Sequence, residues 1–334
     1  MIEVKKNRLH YVDVMKGITM LLVVLHHVLW LMSERGSDGD MIQTLIDHQQ
    51  IYVCFIMPAF FFITGYCSNF GKKISQFFVS NLKSLIIPSL TIGVLLELVH
   101  CRWDIWTYIK GSVYLGFFSF WFLYALFYSK LLYYVIYRYV PSIYLKLLLL
   151  CLMALGGALM SDVKIVRNFG MICQVLNLTI YLGIGNIVRN SAKENILITS
   201  GVIIYLCLIV LYLCGLIIMP CVTAAFASTL RLEPLHFLSA YSGCTVVYFI
   251  SKQVGSSKML ETIGRYSLVV YILHCEFISF FLDMIGVEFI NQLSNIATFG
   301  LVIAILVLAV SASCLFARLL NTKYLSWTLG KFTF

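Results

Sequence analysis

Apolar and polar positions alternate along this chain on a long wavelength. Runs of about 20 mainly apolar residues, the length a helix needs to cross a bilayer, are separated by short polar segments. The runs fall at roughly 14–32, 50–70, 84–100, 115–136, 144–160, 170–188, 196–218, 235–252, 266–285 and 295–317. The pattern predicts an all-α polytopic membrane helix bundle of about ten transmembrane helices. It also predicts a single transmembrane domain over residues 1–334, with no extramembranous catalytic domain. Residues 215–240 break the pattern. Pro220 and Pro234 there predict a broken or re-entrant helix.

Composition agrees with the pattern. The chain is 61% hydrophobic and 12% charged, about half the charge of an ordinary soluble domain. Its mean hydropathy is +0.93. The net charge of +9 would suit a nucleic-acid binder. The distribution excludes that class, because the basic residues sit in the short segments between apolar runs. Ten spans put both termini on one side. Eighteen lysines and arginines fall on that side, against six on the other: Arg35, Arg102, Lys110, Lys164, Arg167 and Arg231. Both termini are therefore expected in the cytoplasm, in a multi-pass inner cell membrane protein. The basic N-terminus resembles a secretory signal, but its apolar stretch is long and lacks a small-residue cleavage pattern. It reads as a retained first span.

The 11 cysteines lie mostly in apolar runs, where they act as small hydrophobes. No C-x-x-C occurs, so no metal centre is expected. Cys101 and Cys221 fall near one membrane face, where they could pair.

The first run, YVDVMKGITMLLVVLHHVLWLM, carries ionisable residues where they are costly. Lys16 and His27 are 11 residues apart, so on a helix they share a face, separated by roughly 16 Å. Asp13 lies near the same stripe. His26 is turned away by about 100°. The stripe leads from a charged cytoplasmic mouth to a histidine at depth. Each residue also has an ordinary reading. Asp13 suits a helix N-cap, Lys16 fits the positive-inside bias, and His27 could be a hydrogen-bonded structural group. Together, at this spacing, they favour chemistry, because a neutral imidazole can take a proton from a hydroxyl or act as a nucleophile.

Three further segments are patterned. FIMPAFFFITGYCSNFGKK ends in Lys72 and Lys73, which with Lys83 form a basic group able to hold phosphates. SFWFLYALFYSKL, from Ser119 to Leu131, offers an aromatic interface belt or the wall of a sugar or acyl site. IGRYSLVVYILHCEF puts His274 at mid-depth with Tyr271 on its face, while Glu276 points away. Glu97 and His100 read as interfacial.

These segments together resemble the acyltransferase 3 family of integral-membrane O-acyltransferases, with a branch similar to fucose 4-O-acetylase-like proteins. Asp13, Lys16, Gly17 and His27 resemble its D-x-x-[KR]-G…H signature. Phe55 to Tyr66 is similar to its P-x-F-F-F-x-[ST]-G-[YF] segment. SLIIP at Ser84 to Pro88 and Trp121-Phe122-Leu123 resemble two more elements, and Ile263 to His274 resembles I-G-x-x-S-L-x-x-Y-x-x-H. The likeness covers about residues 8 to 280. It departs at Lys16, where many members have arginine, and at Thr64, where serine is usual.

The resemblance implies acetyl-coenzyme A as a cytoplasmic donor and co-substrate, with no bound cofactor. It implies a hydroxyl acceptor on a surface or lipid-linked glycan. By that likeness His27 is catalytic, supported by Asp13 and Lys16. Joined to the residue reading, His274 acts with them, Lys72, Lys73 and Lys83 bind the donor phosphates, and Trp121, Tyr271 and His26 contact substrate. The rival reading is a transporter or flippase of a glycan or lipid intermediate, with the histidines relaying protons. Against it, the paired inverted repeats of many transporters are not visible.

Overall fold

The computed structural model describes residues 9–37, 39–100, 105–110, 120–161, 170–217, 219 and 234–331. The described residues form fifteen α-helices and no strand. In the first part are α1 (His10–Glu34), α2 (Asp40–His48), α3 (Gln50–Cys67), α4 (Ile74–Asn81), α5 (Ile87–Val99) and α6 (Ile105–Lys110). The middle holds α7 (Trp121–Tyr139), α8 (Ile143–Ser161), α9 (Gly170–Arg189), α10 (Glu194–Leu213) and α11 (Pro234–Val254). The last are α12 (Lys258–Arg265), α13 (Ser267–Ile285), α14 (Val287–Asn291) and α15 (Asn295–Leu320).

Each apolar run contains a long helix, and eight helical segments are long and apolar enough to cross a membrane. They are α1, α3, the continuous α4–α5 segment, α8, α9, α10, α13 and α15. Helices α7 and α11 are long, but tyrosines, serines, lysines and a histidine dilute their apolar content. Large side chains are exposed along α8, α10 and α15, including Leu152, Leu206 and Val307. Such outward apolar faces suit helices whose solvent is lipid.

Two runs are bounded differently from the sequence expectation. The third begins at Ile74, ten residues before the expected 84. A π-helical turn, Leu82–Ile86, joins α4 to α5 and absorbs the disturbance of Pro88, which lacks an N–H and crowds the carbonyl four residues back. The fourth helix starts at Trp121 rather than 115; residues 111–119 lie outside the described set. So do the bend at Pro220, the Cys101–Cys221 pairing, and Arg102, Lys164, Arg167 and Arg231.

Helix α1 is the axis of the bundle and packs against α2, α3, α11, α12, α13 and α15. Glycine lets backbones meet at two of the tightest crossings. A Cβ on Gly65 or Gly185 would overlap the carbonyl of Leu182 or Phe62, so α3 and α9 touch main chain to main chain. A Cβ on Gly17 would overlap the Leu260 carbonyl, and one on Gly264 the Asp13 carbonyl, which presses α12 onto α1. Polar contacts hold α1 at both ends. His10 Nδ1 donates to Glu261 Oε2 at 3.0 Å, and Arg265 Nη2 donates to the same oxygen at 2.8 Å. At the far end Arg35 Nη1 donates to the Ser279 carbonyl at 3.1 Å and pairs with Asp283 at 2.8 Å.

Two outcomes follow for stability. Replacing Gly264 with valine should cost about 1–3 kcal/mol by overpacking, seen as a lower thermal midpoint of the purified protein. An unchanged midpoint would mean that α12 does not lie against the α1 backbone. The hydrogen bonds from His10 and then Arg265 hold the Glu261 carboxyl below the usual carboxylate range. A carboxyl so depressed stabilises the fold above its unfolded pKa and loses that contribution as pH falls through the folded one. The wild type should therefore lose thermal stability below about pH 4.5 more steeply than Glu261→Gln, which lacks that titration.

Candidate active site

Asp13, Lys16, His26 and His27 stand on one uninterrupted helix, α1. The N-cap of that helix is Leu9, and Asp13 is buried at 5% exposure inside its first turns. The capping explanation for Asp13 therefore fails.

His27 meets His274 across the α1–α13 contact. Their ring centroids are 4.7 Å apart and their planes nearly perpendicular, at 84°. Each ring is fixed by its own helix. His27 Nδ1 donates to the Val23 carbonyl at 2.9 Å, and His274 Nδ1 donates to the Val270 carbonyl at 3.0 Å. An imidazole that donates through Nδ1 keeps its lone pair on Nε2 when neutral. Both rings thus present a basic nitrogen. His274 lies 2% exposed, whereas His27 is only partly covered. The Cys275 thiol lies 3.4 Å from His274 Nε2.

Aromatic side chains flank the pair. Trp30 lies edge-on to His27 at 6.0 Å, and Tyr271 lies 6.0 Å from His274. Phe122, of the Trp121-Phe122-Leu123 element, packs 5.2 Å from Tyr271, and Trp121 packs edge-on to Phe122 at 6.2 Å. His26 sits 5.2 Å from His27, and its Nδ1 donates to Gln49 Oε1 at 2.8 Å. That bond ties α1 to the α2–α3 junction. Glu276 turns away from the pair and meets His100 Nε2 at 2.8 Å.

The basic residues gather in a way the sequence shows only in part. Lys130 of α7 lies within electrostatic reach of Lys16 and Lys72. Cys67, at the end of α3, faces Lys16, Arg189, Asp13 and Lys130. Lys73 caps α4 and Lys83 lies on the π-helical turn, both exposed. Sequence reasoning missed Lys130 because its segment reads as aromatic. A cation at mid-helix, two turns before the Arg138 that closes α7, was the available signal.

It also missed a polar knot beside this mouth. Tyr66 donates to Glu194 Oε1 at 3.0 Å, and Tyr248 donates to the same oxygen. Tyr66 has then used its only proton, so Tyr11 donates to Tyr66 across 2.9 Å. Lys252 stands 3.7 Å from Glu194, and Arg189 Nη1 donates to the Tyr66 carbonyl at 2.7 Å. The knot joins α1, α3, α9, α10 and α11.

A bundle of apolar spans enclosing ionisable side chains defines a multi-pass membrane protein. The family model described as Acyltransferase domain (Acyl_transf_3) matches residues 9–318. The chain belongs to that family, the acyltransferase 3 proteins, and is a membrane acyltransferase. Comparison with curated proteins and with solved structures gave no match.

Replacing Tyr66 with phenylalanine removes two hydrogen bonds, one to a carboxylate. Tyr248 and Lys252 still hold Glu194, so the loss should be roughly 1–2 kcal/mol. Chemical unfolding of the two proteins in the same detergent measures it.

Proposed function

We propose that this protein is an O-acetyltransferase that moves an acetyl group from acetyl-coenzyme A to a hydroxyl of a surface or lipid-linked glycan. The observation that carries the reading is the His27–His274 pair, with both Nδ1 protons held by helix carbonyls, so that each neutral ring carries its lone pair on Nε2. The donor enters from the cytoplasmic side of the inner membrane, where both termini lie. Its phosphates meet Lys16, Lys72, Lys130 and Arg189, with Lys73 and Lys83 as more distant positive charge. Its acyl end reaches down the α1 stripe, over roughly 16 Å, to His27.

His27 Nε2 takes the proton of the acceptor hydroxyl. The oxygen bonds to the acyl carbon, the carbon–sulfur bond breaks, and the departing coenzyme A thiolate takes the proton from His27. The lone pair of His274 Nε2 sits beside the imidazolium that forms and stabilises it. Trp30, Tyr271, Phe122 and Trp121 line the acceptor side with apolar area suited to a sugar ring. His26, anchored by Gln49, contacts the acceptor. Asp13, buried one turn before Lys16, sets the local field at the mouth.

Replacing His27 with alanine should lower kcat by about 10²–10⁴-fold, the usual worth of a positioned base, with coenzyme A binding retained. Unchanged glycan acetylation in that variant, read by proton NMR of surface glycans, would refute the assignment. Lys130→Ala should act differently. It should raise KM for acetyl-coenzyme A several-fold and weaken the salt dependence of donor binding, with kcat little changed.

A further inference from the structure

His27, His274 and Cys275 come together from α1 and α13, and a nitrogen from each ring and the thiol sulfur all lie within 4.8 Å of one another. From this geometry we infer an inhibitory binding site for a borderline-soft divalent cation, of the zinc class. The inhibitory part rests on the acyl-transfer reading, in which His27 Nε2 must be free to accept a proton.

The donor set suits that class of ion. Two imidazoles and a thiolate are the ligands zinc takes in tetrahedral sites, with one position left for water. Zinc–nitrogen and zinc–sulfur bonds near 2.1 and 2.3 Å place ligand atoms about 3.3–3.6 Å apart. His274 Nε2 and Cys275 Sγ are already 3.4 Å apart. The remaining separations, at most 4.8 Å, need closing by up to about 1.5 Å, within reach of side-chain rotation. The rings are also prepared for a metal. Each donates its Nδ1 proton to a backbone carbonyl, the outer arrangement that orients ligating histidines and leaves Nε2 to coordinate. On binding, the Cys275 thiol gives up its proton and three coordination bonds form. The lone pair that would accept the acceptor's proton becomes a metal bond, and transfer stops until the ion leaves.

No sequence motif announces this site. His27 and His274 are 247 residues apart, and the neighbouring cysteine belongs to no C-x-x-C. Cys275 takes no part in the proposed transfer, so it separates the two readings.

The test uses the full-length protein in detergent or nanodiscs, with zinc for inhibition and cobalt as a spectroscopic probe. Wild-type protein, freed of metal with a chelator, should transfer acetyl groups, lose activity with added zinc, and recover it with chelator. Cobalt should give a thiolate-to-metal absorption band. Cys275→Ser should keep its transfer rate, lose the band, and need roughly tenfold more zinc or beyond for half inhibition, since a direct ligand is worth at least as much as an outer one. Cys275→Ala serves as a second variant if serine disturbs the fold. Equal zinc sensitivity in wild type and variant, absence of the cobalt band, or stimulation by zinc would each overturn the proposal. Cobalt binding needs no turnover. A normal band in a protein inactive without metal would therefore count against the transferase reading and not against the metal ligands.

Discussion

The two imidazoles can meet only if α1 and α13 keep one fixed register, and the rest of the site depends on that constraint. It is set where α12 lies on α1. Gly17 and Gly264 carry no Cβ, so the backbones close until carbonyl oxygens of Asp13 and Leu260 occupy the space side chains would take. The Glu261 carboxylate, gripped by His10 and Arg265, secures the same crossing by charge. Arg35 fastens α1 to α13 at the other end through Ser279 and Asp283. Between these fastenings there is little freedom for either histidine to move along its neighbour.

Within that frame the chemistry comes from the helix itself. A histidine in an α-helix can donate to the carbonyl four residues back, and both His27 and His274 do so. The choice of tautomer is thereby made by main chain, without an aspartate to orient the ring. In a bilayer this matters, because a charged residue beside the pair would be expensive. Charge is concentrated instead at the mouth, where Lys16, Lys130 and Arg189 act on Cys67 at the end of α3 and Lys72 lies within reach of Lys130. Separating the cations from the basic nitrogens lets one end attract an anion while the other keeps neutral imidazoles.

Much of this was legible in the chain. Apolar run length identified every long helix, since crossing a bilayer leaves little choice of length or polarity. Helical phase placed Lys16 and His27 on one side of α1, and the motif around Ile263 marked His274. The contact between His27 and His274 was not legible, because periodicity within a helix says nothing about which distant helix it touches. Lys130 was hidden by its aromatic neighbours. Glu194 was hidden by its position at the start of α10, where an acidic residue is ordinary. The early start of α4 was missed because the apolar count drops near Lys83, while the backbone continues through a π-helical turn.

The glycine crossing has a consequence for how this chain can change length. His27 lies ten residues beyond Gly17, and His274 lies ten residues beyond Gly264. Two equal intervals start from one point of backbone contact and end at one pair of rings. They work as matched rulers. A residue added to α1 between Gly17 and His27, or to α13 between Ser267 and His274, would turn its imidazole by about 100° and shift it by about 1.5 Å, and the rings would no longer face each other. The polar segments between spans can lengthen or shorten without such an effect. Insertions and deletions in working versions of this architecture should therefore fall outside these two intervals.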